Sequence, residues 1–289
     1  MVSTCRLLGV SRQVYYRSQR SKANHQKKAS IVVDMVLSLR KQMPRIGTRK
    51  LYYLLGDRLR ELGVGRDRLF AILKANHLDI KPRRNYRITT NSYHRFRKHK
   101  NLITNMPLNR PEQVWVSDIT YLGSRNNSYY LALVTDAYSK KVLGYNLSNS
   151  LNNEGTLNAL NMAISRREYR GQPLIHHSDR GVQYCSDDYQ DLLEKHQIKC
   201  SMTESYDPYA NAVAERINGI LKDEFLIDSY DVNLNTMKDL IKDSINIYNT
   251  QRPHYSCYMK TPEWMHQQQD IKIRTYKSKE SCLVNQTAF

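Results

Sequence analysis

The feature that most constrains this chain is a seam in its charge. Residues 1–110 carry 26 Lys and Arg against 5 Asp and Glu, a balance of +21, whereas residues 111–289 carry 19 against 22, a balance of −3. Such a basic half repels itself unless an outside anion offsets it. Segregated charge therefore predicts a polyanion-binding module joined to a separate, nearly neutral domain, and nucleic acid is the polyanion that fits best. A lipid surface fits less well, because the basic segments leave no bulky apolar face for it. A length of 289 residues suits about two domains, and 40% apolar residues exclude a disordered chain. No apolar run reaches the roughly 18 residues of a membrane span. The stretch from Met1 to Val10 lacks the cationic start and apolar core of a secretory signal. The expected location is the cytoplasm.

The five cysteines, at positions 5, 185, 200, 257 and 282, are odd in number and widely spaced. They form no C-x-x-C pair, which argues against a disulfide framework or a zinc knuckle. His94 and His99 have finger-like spacing, but no cysteine pair accompanies them.

In the basic half, Leu7 to Tyr16 reads as the second part of a helix-turn-helix. Gly9 ends one helix, Ser11 caps the next, and Val14 and Tyr15 are expected to face inward. This gives a partial helix-turn-helix over 1–28. Residues 29–80 read as a complete helix-turn-helix domain. Ile31, Val32, Met35, Val36 and Leu39 recur at helical spacing, a second helix follows Gly47, and a third follows Gly65. Candidate DNA contacts there are Arg49, Lys50, Arg66, Arg68 and Lys74, with Leu69, Ile72 and Leu73 as the core stripe. Residues 81–110 mix cations with Tyr86, Tyr93 and Phe96 without apolar periodicity, and read as a basic linker able to lie along phosphates.

From residue 111 the pattern changes. Val114–Tyr121, Tyr129–Thr135 and Lys141–Leu147 read as three strands, followed by a helix over 151–169. Then come a short buried strand at Leu174–Ser178, a helix at Asp187–Lys195 and a strand at Ile198–Met202. Two helices, over about 208–226 and 234–249, complete a second domain over 111–270. Three meandering strands followed by alternating helix and strand predict an α/β domain with a mixed sheet. Residues 271–289 read as a loose basic tail.

Three acids stand out. Asp118 lies in an otherwise apolar strand, where a lone carboxylate is costly unless it is paired or binds metal. Asp179 follows the fourth strand, and Glu215 lies in a helix flanked by Ala212, Val213 and Ala214. Each alone has an ordinary structural reading: a lysine partner, a turn cap, a surface ion pair. Together, two carboxylates at strand ends and one on a crossing helix can meet above a sheet edge. There their hard oxygens suit Mg²⁺ or Mn²⁺. Asn211, Glu215, Asn218 and Lys222 share one helix face at steps of 4, 3 and 4, so Asn211 and Lys222 join Arg180 as candidate DNA contacts.

The motifs Trp115-Val116-Ser117-Asp118-Ile119-Thr120-Tyr121, His177-Ser178-Asp179-Arg180-Gly181-Val182-Gln183-Tyr184 and Asn211-Ala212-Val213-Ala214-Glu215-Arg216 carry a resemblance. So do Leu221-Lys222, Tyr248-Asn249, Arg252-Pro253-His254 and Thr261-Pro262. Across nearly its whole length the chain resembles the second-reading-frame (OrfB) transposases of the bacterial insertion sequence three family, whose core is retroviral-integrase-like. Thirty-five residues separate Asp179 from Glu215, the spacing of that family. The resemblance implies a ribonuclease H-like fold and a DDE triad of Asp118, Asp179 and Glu215 holding two Mg²⁺ (or Mn²⁺) ions. It implies cleavage at an element's 3′ end and attack of that 3′-OH on another phosphodiester. It also implies double-stranded DNA, further copies of the chain and an upstream-frame protein or fusion as partners. Ala210 stands where the family usually has an acid. A hydrolysis-only nuclease of the same fold and a non-catalytic regulator that binds DNA are the alternatives.

Overall fold

The computed structural model describes residues 7, 9, 11–81, 99–104, 106–123, 128–203 and 212–274. The chain divides into two compact units, Met1–Pro82 and Arg83–Phe289.

In the first unit, a single helix α1, Arg12–Arg40, runs through the boundary expected at 28/29. No Gly or Pro interrupts these 29 residues, and Ser11 caps them by accepting from the Val14 N–H at 3.3 Å. The partial helix-turn-helix expected over 1–28 is thus replaced, from Arg12 onward, by the front half of a long helix. Val14 is 52% exposed rather than inward-facing. Val32 and Val36 are fully buried. Traced back at steps of 4 and 3, the same stripe meets Lys28, His25, Ser21 and Ser18, which have nothing apolar to bury. Helices α2 (Thr48–Leu54), α3 (Gly56–Glu61) and α4 (Arg66–Ala75) close the bundle. On these helices Leu51, Leu59, Leu69, Ile72 and Leu73 are buried, as Val32 and Val36 are on α1. Arg40 ties α1 to the end of the unit by donating to the Leu78 carbonyl at 2.8 Å.

The second unit is built on five strands: β1 (Val114–Gly123), β2 (Ser128–Asp136), β3 (Val142–Ser148), β4 (Leu174–Ser178) and β5 (Ile198–Met202). Their order is β3-β2-β1-β4-β5. The first three form an antiparallel meander, and β4 and β5 run parallel to β1. This is the mixed α/β sheet expected. Helices α5 (Asn153–Ser165), α6 (Val182–Cys185) and α7 (Asp187–Lys195) cover one face, where Trp115, Leu143, Leu160, Tyr184, Tyr189 and Leu193 share a core. At Gly144 the approach is so close that an added Cβ would lie 2.0 Å from the Ala159 carbonyl oxygen of α5. Helix α8 (Ala212–Glu224) lies on the other face, with Ala214 against Val114 and Val116. The start expected for this helix, at about residue 208, lies outside the described residues.

Helix α5 stops at Ser165, short of the expected 169. The following backbone has other work: the N–H groups of Glu168 and Tyr169 donate to the buried Glu112 carboxylate at 2.8 and 3.1 Å. The linker expectation for 81–110 also changes at its far end, because Ile103, Met106 and Leu108 pack against the core. Residues 82–98, with Tyr86, Tyr93 and Phe96, lie outside the described residues. The expected loose tail is likewise anchored at its start. Ile271 and Ile273 pack beside Tyr138, Cys257 and Met265, and the Ile271 N–H donates to Tyr138 at 3.1 Å.

Helices α9 (Leu234–Thr250) and α10 (Pro262–His266) fasten the C-terminal part. Asn249 imitates a strand: its side chain accepts from the Val142 N–H and donates to the Val142 carbonyl, both at 2.9 Å. Arg252, 2% exposed, makes a two-pronged bond to Glu224 at 2.8 Å in each arm. The Tyr248-Asn249 and Arg252-Pro253-His254 motifs are therefore clamps that hold α8 and β3.

Candidate active site

Parallel pairing brings the first two acids together. Ser117 of β1 is the register partner of Ser178 of β4, so Asp118 and Asp179 are the next residues on adjacent strands. The residue before Asp118 is itself anchored. His176 Nε2 lies 2.7 Å from Ser117 Oγ and 2.9 Å from the Tyr189 hydroxyl. Burial drives the His176 pKa down to about 3, so this anchor carries no charge. Helix α8 supplies the third acid, Glu215, and one turn later Asn218, whose amide donates to Asp118 Oδ2 at 2.7 Å.

Asp118 is half-buried, and its pKa is pushed up to about 7. Burial is the largest cause and the charge of Asp179 the next. Glu215 adds to the rise, while hydrogen bonds from Asn218 and the Ile119 N–H oppose it. Asp118 thus feels both other acids. Asp179 accepts from the Gly181 N–H at 3.0 Å, and a Cβ on Gly181 would sit 3.0 Å from that same oxygen. Gly181 leaves the carboxylate its room.

Asp118 forms a wall shared by two clefts. One, of about 360 Å³, is lined by Asp118, Asp179, Tyr121, Tyr130, Leu151 and the Gly181–Tyr184 turn. The other, of about 450 Å³, is lined by Asp118, Glu215, Asn218, Lys222 and Asp228. Among the described residues, no three His, Cys, Asp or Glu side chains stand together closely enough to hold a metal ion as they are. The donor chemistry nevertheless fits a hard cation: a carboxylate raised by two like charges is relieved by a divalent ion.

The other expected residues fall in separate places. Lys222 is half-buried in the Glu215 cleft, and Arg180 is half-buried after Asp179. Arg49, Arg66, Arg68 and Lys74 are exposed and Lys50 half-buried, all in the first unit. Arg66 is bonded to Asp67 at 2.9 Å. Asn211 lies outside the described residues. Sequence reasoning placed Asn218 on a polar helix face without assigning it to the site. Its spacing of three residues from Glu215 was the available signal.

Residues 109–208 match a family model described as "Integrase core domain", and residues 196–262 match a second model of the same description. The "Insertion element IS600 uncharacterized 31 kDa protein" of Shigella sonnei is 37% identical over 257 residues, 86% of this chain and 92% of that protein. "Transposase InsF for insertion sequence IS3A" of Escherichia coli (strain K12) is 36% identical over 154 residues, 53% of each chain. The chain belongs to the insertion sequence three family of integrase-core DNA transposases. Two solved structures resemble this family member in fold. A simian T-cell lymphotropic virus intasome, in complex with PP2A regulatory subunit B56 gamma, is 21% identical, with TM-score 0.49 over 80% of this chain and 78% of that one. The HTLV-2 integrase catalytic core domain, in complex with magnesium, is 23% identical, with TM-score 0.44 over 54% and 97%. Among the described residues, no helix is long and apolar enough to cross a membrane.

Proposed function

We propose that Asp118, Asp179 and Glu215 hold two divalent cations, Mg²⁺ or Mn²⁺, and that the chain cuts the 3′ end of an insertion sequence and joins it to target DNA. The observation that carries this reading is the convergence of the three acids: Asp118 and Asp179 each follow a register-paired residue of parallel β1 and β4, and Asp118 lines both the cleft that holds Asp179 and the cleft that holds Glu215. When bound, the cations would activate the attacking oxygen and stabilise the leaving one in an in-line phosphoryl transfer. The chain's own residues do the positioning. Asn218 fixes the rotamer of Asp118, Gly181 gives Asp179 its space, and Lys222 offers a cation to a phosphate beside Glu215. Asn211 and Arg180 act as further phosphate contacts, and Arg49, Lys50, Arg66, Arg68 and Lys74 bind duplex DNA from the helical unit. Synapsis of two ends calls for more than one copy, and an upstream-frame protein or fusion would complete the assembly near the nucleoid.

The test is a joining assay with duplex carrying an element end and a free 3′-OH, in Mg²⁺. Labelled product longer than either substrate is expected. Asp118→Asn, Asp179→Asn and Glu215→Gln should each remove it while leaving DNA binding within a few-fold. Cleavage without joining would instead identify a nuclease. End binding with no metal-dependent chemistry in the parent would identify a regulator.

A further inference from the structure

We propose that the cleft between the Tyr121–Tyr130 pair and the Gly181–Tyr184 turn holds one unstacked nucleobase of the strand whose phosphodiester lies at Asp118 and Asp179. The proposal rests on the DNA-processing reading above and goes beyond it by assigning a base subsite.

Position is the first argument. The cleft has Asp118 and Asp179 in its own lining, so a phosphate at the acids carries a base within one nucleotide's reach of its interior. Size is the second. At about 360 Å³ it lies at the lower end of small-ligand sites, roughly 300–1,000 Å³, which is room enough for a base. Surface chemistry is the third. Tyr121 and Tyr130 are direct cross-strand partners on β1 and β2. Their rings meet edge to face, with centroids 5.9 Å apart. Leu151, 45% exposed, adds apolar surface to the same cleft. A flat, apolar-faced ligand suits this wall, and stacking on aromatic side chains accepts any base. The last argument is polar. Gln183 donates its amide nitrogen to the Leu151 carbonyl at 2.9 Å, which fixes the orientation of the amide. Its Oε1 then lies 3.4 Å from where a Gly181 Cβ would be, an acceptor for the amino or imino N–H on a base's pairing edge. A base within a duplex has that edge and both faces occupied, so entry requires local melting, which costs least at a frayed or mismatched position.

The test is a double-mutant cycle on binding, run in Ca²⁺ so that it does not depend on turnover. Duplexes carry the element's terminal repeat, read from the DNA flanking the gene. The base on either side of the cleaved phosphate is intact or replaced by an abasic site. Dissociation constants are measured for the wild-type chain and for Tyr130→Leu, with Tyr130→Phe as the conservative control. At one flank, Tyr130→Leu should weaken binding to intact DNA about tenfold and leave binding to the abasic duplex unchanged, while Tyr130→Phe behaves as wild type. An equal penalty on both duplexes overturns the proposal. If Tyr130→Leu does not fold, the same cycle with Gln183→Met decides, since it removes the acceptor and keeps the length. Absent coupling with intact Mg²⁺-dependent joining rejects the base subsite alone. Coupling without any metal-dependent chemistry rejects the catalytic reading alone, and absent duplex binding rejects both.

Discussion

Asn218 donates to Asp118 through its amide nitrogen, yet among the described residues its own carbonyl oxygen is buried with no hydrogen-bond partner. Replacing it removes one favourable bond and one unsatisfied group together, and these nearly cancel in stability. Asn218→Ala should therefore shift the melting temperature little while lowering the joining rate by about tenfold, on the order of 1.4 kcal/mol. A large loss of melting temperature with unchanged rate would show a packing role instead. His266 offers a contrasting case far from catalysis. It is fully buried, 3.7 Å from Glu112 and 3.8 Å from Asp136. Burial alone would lower its pKa, but Asp136 and Glu112 outweigh that and raise it to about 9. Both carboxylates are in turn held below their usual range: burial would raise them, but His266 and backbone N–H donors prevail. The histidine is protonated in the folded state up to about pH 9 and in the unfolded chain only up to about 6.5. Its contribution is complete below pH 6.5 and disappears as pH rises through 9, a span worth about 3 kcal/mol. The carboxylate contributions are complete above their ordinary values and fade on acidification. Urea titrations from pH 6 to 10 should show falling stability in the parent and a much flatter alkaline limb in His266→Gln.

At the scale of elements, Gly144 sets how near α5 can lie to β3. A methyl group there meets the Ala159 carbonyl oxygen and the Ala163 backbone nitrogen, at 2.0 and 2.8 Å. Neither is a flexible side-chain end, so the helix itself must move. Gly144→Ala should cost roughly 1–3 kcal/mol, read as a lower urea midpoint with an unchanged slope. The elements that sequence made legible are those with a period. Strands β1 to β5 and helix α7 alternate or repeat as their burial requires, and the acid on β1 was visible as charge in apolar surroundings. The continuity of α1 was not, because Gly9 and Ser11 signal a start while nothing at residue 28 signals a stop or its absence. The early end of α5 was also hidden. Its cause is Glu112, more than fifty residues away in sequence, and such distant capture leaves no local mark. Tyr121 and Gln183 stood within quoted motifs, but their common cleft depends on the pairing of β1 with β2 and on the turn after β4.

At the scale of the whole molecule, the charge seam has a measurable consequence. Affinity for duplex DNA should fall steeply with salt, each neutralised phosphate contributing a slope of about −0.9 in log K against log salt. Replacing Arg68 and Lys74 by Gln should reduce that slope by about two. Arg66→Gln should change it less, because Arg66 is already engaged by Asp67 at 2.8 Å. Binding of the triple variant at several salt concentrations gives the comparison, and an unchanged slope would remove the helical unit from the DNA-binding surface. The second unit has a different property at its rims. On β3, Asn249 occupies both backbone groups of Val142. On β5, Ser201 accepts from the Leu102 N–H at 2.9 Å and the Met202 N–H reaches the Lys100 carbonyl at 3.4 Å. A foreign strand finds those positions taken, which guards the two rims there against edge-to-edge pairing. The same side chain that trims β3 thus serves as a safeguard against aggregation through that rim.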